Sequence, residues 1–258
     1  MSLKYLKGAE PLFIQGSRKG LLLLHGAGGG SSWDLKEFAH QIHSQTGATI
    51  WLPTLTGWGT QPEDLYEVTF LDWLNDGRNG IKKLLQECSD IYIVGHSMGG
   101  VLALILASEF HEIRAVVTWA AAVKVKTHLL SLLPILVKIP LINRMVPEKY
   151  PSPAPESLKE KGWVGYDWIP FTIGFTILDG LRTLKKTLPY VKCPLFIIQG
   201  TNDESVSQSS PEYIYKNVHS EIKKIFMVKG ATHPIMNEDM YKTDLFRQTI
   251  AFLNENGL

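Results

Sequence analysis

The five residues Gly95-His96-Ser97-Met98-Gly99 set a serine between glycines two positions to either side. They follow an apolar run at 91–94 and open an apolar stretch at 99–108, so the serine falls on a sharp strand-to-helix turn. A hydroxyl thrown out at such a corner needs a strained backbone, and side chains at the two glycine positions would collide with the adjoining strand and helix. A serine hydroxyl is a weak nucleophile until a base takes its proton. The chemistry on offer is acyl transfer through a covalent serine adduct, provided that an acid and then a histidine follow in the chain.

Of the eight histidines, His233 lies in Lys229-Gly230-Ala231-Thr232-His233-Pro234, a loop directly after the last strand-like run. That is the carboxyl edge of an open α/β sheet, where ligands bind. His111, His128 and His219 lack this placement and read as surface residues. His25 and His96 flank glycine turns at the same edge and read as packing and hydrogen-bonding supports that could also touch a pocket. The run PLFIIQG ends in Gly200-Thr201-Asn202-Asp203-Glu204-Ser205-Val206, which offers Asp203 as the acid, with Glu204 as its rival. Asp203 would fix the imidazole tautomer and stabilise the imidazolium without taking the proton. In Leu24-His25-Gly26-Ala27-Gly28-Gly29-Gly30 the glycines let backbone amides approach a substrate oxygen, so the amides of Ala27 and Met98 are the expected oxyanion donors. Gly26 and His96 are expected to contact substrate.

A different chemistry for the same glycines, a dinucleotide-binding turn, fails on detail. Ser31 stands where the third glycine of G-x-G-x-x-G should be, the next strand-like run ends without an acid for a ribose, and no G-K-[ST] follows. Neither Cys88 nor Cys193 has a second Cys or a His at ligand spacing, so both read as reduced thiols and no metal or organic cofactor is expected.

The elements that must position these residues alternate. Strand-like runs at 20–24, 48–52, 91–94, 113–119, 194–199 and 223–228 are separated by helical patterns at 33–44, 70–85, 99–108, 211–218 and 240–253. With a shorter run at 12–15, this predicts an α/β fold: a mostly parallel sheet of about seven strands flanked by helices. The stretch 122–190 breaks the rhythm. It is rich in Leu, Ile, Pro and aromatics, shows no clear strand, and reads as an apolar helical insertion; its segment Tyr150 to Glu156, with three prolines in seven residues, reads as an exposed linker. The core would then be 1–121 and 191–258.

In 258 residues, 26 Lys and Arg balance 25 Asp and Glu, leaving +1 and no basic excess for a nucleic-acid partner. No apolar stretch is long enough to span a bilayer, so an integral membrane protein is not expected. The opening residues lack the apolar core of a secretory signal, and a cytoplasmic monomer or homodimer is the expectation.

HGAGGG, GHSMGG, GTNDESV and GATHP, in that order, resemble the α/β-hydrolase superfamily, and within it bacterial carboxylesterases and monoacylglycerol lipases. The resemblance runs from about Leu21 to Leu253. It implies a serine hydrolase acting on small carboxylic esters with short to medium acyl chains, with 122–190 as a lid. It also marks two departures: Ala27 stands where a bulky apolar residue is common, and Trp58, which the resemblance implies would contact substrate, where a histidine is often found. The sheet is expected to be one strand short of the usual eight. Lid residues Leu129, Leu130, Leu132, Leu133, Ile135, Leu136 and Ile139 could line an acyl pocket or pack on one another, and the same holds for Trp163, Trp168 and Phe171. The same triad could instead cleave thioesters, amides or carbon–carbon bonds, or the scaffold could be a ligand-binding receptor.

Overall fold

The computed structural model describes residues 4–28, 30–126, 148–152 and 154–258. Its main sheet has seven strands in the order β1-β3-β2-β4-β5-β8-β9. These are β1 (Leu12–Ile14), β2 (Lys19–Leu24), β3 (Thr49–Leu52), β4 (Asp90–His96), β5 (Ile113–Trp119), β8 (Leu195–Gly200) and β9 (Lys223–Val228). Only β1 runs antiparallel, against β3; every other pairing is parallel. The mostly parallel sheet expected from the alternation is therefore present, with seven strands among the described residues.

Strand β2 shows why continuous apolar runs belong here. Leu21 and Leu23 face one buried cluster, with Phe38, Trp119 and Phe246, while Leu22 and Leu24 face the other, with Trp73, Val101 and Leu104. A strand covered on both faces has no position for a polar residue, so it reads as an unbroken hydrophobic run. Helices α1 (Trp33–Thr46) and α7 (Asp239–Glu255) cover the first face, and α2 (Phe70–Leu84) and α3 (Met98–Glu109) the second. Helix α2 begins on a reciprocal cap: the Asp72 amide donates to the Thr69 hydroxyl, and the Thr69 amide donates to the Asp72 carboxylate.

The stretch expected to be strandless holds a small hairpin, β6 (Lys149–Pro151) paired antiparallel with β7 (Trp168–Pro170). Each strand has three residues and a terminal proline, too short for a period of two to show. The proline-rich segment is correspondingly more than a linker: it supplies β6 and leads into α4 (Glu156–Glu160). After the hairpin, α5 (Ile173–Thr187) packs on α2 and α3 through Ile173, Leu181 and Leu184, in the same cluster as the core. Its Gly180 lies so close to Phe70 that a Cβ there would stand 2.3 Å from the ring. Helix α6 (Ser210–Asn217) joins β8 to β9.

Candidate active site

Strands β2 and β4 are neighbours, yet the chain goes from β2 to β3 on one side before returning to β4 on the other. Such a switch point opens a crevice at the carboxyl ends of the strands. The loop 25–32 leaves β2 on one side of that crevice and Ser97 leaves β4 on the other.

Ser97 has φ 53° and ψ −115°, one of two non-glycine residues with positive φ among the described residues. Its amide donates to the Trp119 carbonyl at 2.9 Å, which pins the corner to β5. The flanking glycines are steric requirements. A Cβ on Gly95 would stand 2.2 Å from the Gly99 carbonyl oxygen, and one on Gly99 would stand 2.0 Å from that of Leu24. No side chain fits either gap, so the strained corner and its glycines form one unit.

The Ser97 hydroxyl lies 3.0 Å from His233 Nε2, and His233 Nδ1 lies 2.8 Å from Asp203 Oδ2. A carboxylate only accepts, so Nδ1 carries the ring proton and Nε2 accepts from Ser97. Asp203 is fully enclosed and accepts four hydrogen bonds: from His233, from Gln199 Nε2 at 2.7 Å, and from the amides of Ser205 and Val206 at 2.9 and 2.8 Å. Burial pushes its carboxyl up, but the His233 hydrogen bond and charge and the two amides outweigh it, leaving the group below the usual Asp range. Glu204, the alternative acid, is exposed at the cleft and makes no such bond.

The other two histidines of this edge are buried and neutral. Burial, then repulsion from His233, lowers His96 to about 3, and its Nε2 donates to the His233 carbonyl at 3.1 Å. Burial lowers His25 to about 4. Its Nδ1 donates to the Gly26 carbonyl and its Nε2 accepts from the Leu55 amide, tying the glycine loop to the end of β3. Among the described residues, the amides of Ala27 and Met98 reach no acceptor.

A cleft of about 550 Å³ opens over Ser97 and His233, lined also by Gly26, Gly28, Gly30 and His96. Its far wall comes from Ser152, Ala154, Pro155, Leu158 and Trp163. Two bonds stitch that wall to the glycine loop: Ser152 Oγ donates to the Gly28 carbonyl at 3.0 Å and Ser31 Oγ to the Val164 carbonyl at 2.7 Å. Two residues expected at the substrate do not line the cleft. Trp58 is fully buried, stacked on Tyr166 at 5.7 Å and beside Trp73, where a large indole serves the core. Trp168 stands on β7 under the Lys149 ammonium, 3.9 Å from its ring, and beside Tyr66. Leu129, Leu130, Leu132, Leu133, Ile135, Leu136, Ile139 and His128 lie outside the described residues.

Sequence reasoning passed over Asp34 and Asn237, which also line the cleft. Asp34 Oδ1 accepts from Trp163 Nε1 at 3.1 Å and from Asn237 Nδ2 at 3.0 Å. Burial pushes Asp34 up to about 6, against the pull of Asn237, Trp163 and the Ser31 amide.

The chain matches the family Hydrolase_4, described as Serine aminopeptidase, S33, over residues 15–240. It belongs to that family. Members share the α/β-hydrolase fold, and the seven-stranded sheet of this hydrolase agrees with it. The chain is similar to the thermostable monoacylglycerol lipase of Bacillus sp. (strain H-257), 28% identical over 88% of each chain. It is also similar to a carboxylesterase of Bacillus subtilis (strain 168), 23% identical over 88% of this chain and 89% of that one. Among solved structures, one from work on the metagenome-derived lipolytic enzymes LipS and LipT is 28% identical with a TM-score of 0.86, covering 98% of this chain and 100% of that one. The monoacylglycerol lipase of Paleococcus ferrophilus, 18% identical with a TM-score of 0.79 over 96% and 98% of the two chains, shares the fold. No helix among the described residues is long and apolar enough to cross a membrane.

Proposed function

We propose that this hydrolase cleaves carboxylic esters of short to medium acyl chains, monoacylglycerols among them, through an acyl-enzyme on Ser97. The observation that carries the reading is the unbroken run of hydrogen bonds from Ser97 through His233 to Asp203. His233 takes the Ser97 proton as the oxygen attacks the ester carbonyl, then returns it to the leaving alcohol. Asp203 holds the imidazole in the tautomer that can accept, and steadies the imidazolium. The tetrahedral oxyanion is met by the amides of Ala27 and Met98; losing one such donor typically costs roughly 10²–10³ in turnover. Water, activated by the same His233, releases the acid. The lipase and esterase relatives support the ester bond over other acyl bonds.

The cap proposed here is narrower than 122–190. Helix α5 shares the core cluster, so the cap ends near residue 172, and the segment from Ser152 to Trp163 supplies its contact with substrate. Gly26 and His96 complete the substrate surface on the core side. A small-molecule ester is the proposed partner and the cytoplasm the proposed location.

A panel of p-nitrophenyl esters of increasing chain length tests the reading. Turnover should be lost in Ser97→Ala and the wild-type serine should be labelled by a fluorophosphonate probe. The family description also favours a second reading, amide cleavage. Matched ester, thioester and amide substrates at one pH separate the two, and the ester should have the highest kcat/KM.

A further inference from the structure

The cleft wall carries a carboxylate that the proposed triad does not use. Asp34, at the start of α1, is held from two directions: Trp163 in the proposed cap and Asn237 just beyond His233 both donate to Oδ1. The Ser31 amide adds a weaker pull from the glycine loop, and among the described residues no Lys, Arg or His pairs with the group. Its Oδ2 packs against the glycine loop, where a Cβ on Gly30 would stand 2.0 Å from it. The Asn237 amide must turn its nitrogen toward a carboxylate that can only accept, so its oxygen is left as a second acceptor without a described partner. A half-buried carboxylate without a counter-charge is costly, and burial has pushed this one up to about 6. Asp34 and Asn237 both line the cleft, so a guest with hydrogen-bond donors would meet there a carboxylate without a counter-charge and an amide oxygen without a described partner.

We infer that Asp34, with Asn237, is a specificity-determining pair that accepts hydrogen bonds from free hydroxyls on the alcohol portion of the substrate, selecting partial esters of polyols. The inference rests on the ester reading above. A simple acyl chain bears no donors, so the donors must come from the alcohol. Two adjacent acceptors, one of them a neutral amide oxygen, match a pair of hydroxyls better than a single ammonium charge. A second recess of about 480 Å³ shares Pro155, Leu158, Thr232 and Asn237 with the cleft and continues to Glu238 and Lys161, a polar route by which such an alcohol can leave.

The test is the ratio of kcat/KM for a glycerol monoester to that for the methyl ester of the same medium-chain acid. It is measured at pH 8 in the wild-type protein, Asp34→Ala and Asp34→Asn, with the choline ester as a third substrate. Because the acyl group is shared, losses from folding or from the acyl pocket divide out. Wild type should favour the glycerol ester, and the ratio should fall by about 10- to 100-fold in Asp34→Ala, as for a hydrogen bond to a charged group. Asp34→Asn should also lower it. A ratio within twofold of wild type in both variants overturns the inference while leaving the ester reading intact. A larger effect on the choline ester than on the glycerol ester overturns it in favour of a cationic alcohol. If wild type turns over none of the three, the ester reading fails first and the inference with it.

Discussion

Asp203, behind His233, and Asp34, in the wall of the same cleft, are both carboxylates surrounded by protein, yet their acidities move in opposite directions. Burial raises both, so burial alone does not set the sign. Donors and charge do. Asp203 accepts on both oxygens, from two side chains and two backbone amides, and has the His233 charge beside it. Asp34 takes two side-chain bonds on one oxygen and a weaker pull from the Ser31 amide, with no cation beside it among the described residues. The first is held in its charged form; the second lines the cleft with no cation beside it among the described residues. A carboxylate beside a cation and several donors stays ionised, and one buried without them is pushed toward its neutral form.

The largest effect that could break this contrast is on turnover. Asp203→Asn should lower kcat by about 10⁴-fold, because the amide no longer fixes the imidazole tautomer. A loss below about tenfold, measured on a p-nitrophenyl ester, would mean that Asp203 does not orient His233.

Stability should separate the two next, and with opposite signs. Asp34 has a folded pKa of about 6 against 3.8 for the ordinary group, so its favourable contribution is present below about 3.8 and is lost as pH rises through 6. Relative to Asp34→Asn, the wild-type protein should lose about 2 kcal/mol of unfolding free energy between pH 4 and pH 8. Asp203 has a lowered pKa, so its contribution is present above the ordinary Asp range and is lost only as pH falls through the depressed value. Asp203→Asn should therefore be less stable than wild type at neutral pH. Denaturant titrations of the three proteins across that range check both signs, and parallel curves would contradict the assignment.

How much of this could be read from the sequence depends on distance along the chain. The serine corner was legible because its strand, turn and helix lie within some twenty residues and its glycines are demanded by contacts to Gly99 and Leu24. Asp203 and His233 were legible because each follows a strand whose apolar run marks the carboxyl edge. Asp34 was not. In the sequence it is an acid in the first turn of a helix, an ordinary favourable position. Only the fold brings to it Trp163, 129 residues away, and Asn237, 203 residues away. Helix α5 falls in the stretch read as an apolar helical insertion, but that its Gly180 makes room for Phe70 on α2 is a long-range contact with no mark in the sequence. Trp58 misled in the other direction, since matching a family position does not reveal that an indole will turn into the core.

A subtler way to sharpen the contrast leaves both aspartates in place. Gly30→Ala puts a methyl group where Asp34 Oδ2 lies, so the carboxylate must leave its bonds to Trp163 and Asn237. A stability loss of about 1 kcal/mol is expected, together with a lower preference for the glycerol ester. Gly28→Ala, where nothing lies within 4 Å of the added atom, serves as the comparison for stability and should leave it unchanged. The smallest effect belongs to His96→Asn, which gives up the bond to the His233 carbonyl. It should lower kcat by about fivefold. Because His96 is neutral down to about pH 3, the wild-type pH profile should show no ionisation from it near neutrality.

The central claim is that acyl transfer passes through the Ser97 oxygen. Intact-protein and peptide mass spectrometry after rapid acid quench of a p-nitrophenyl ester reaction tests it most directly. One acyl group on the peptide containing Ser97, formed in step with a burst of p-nitrophenol, is the expected result. Steady turnover with the acyl group on another residue, or unchanged turnover in Ser97→Ala, would contradict it.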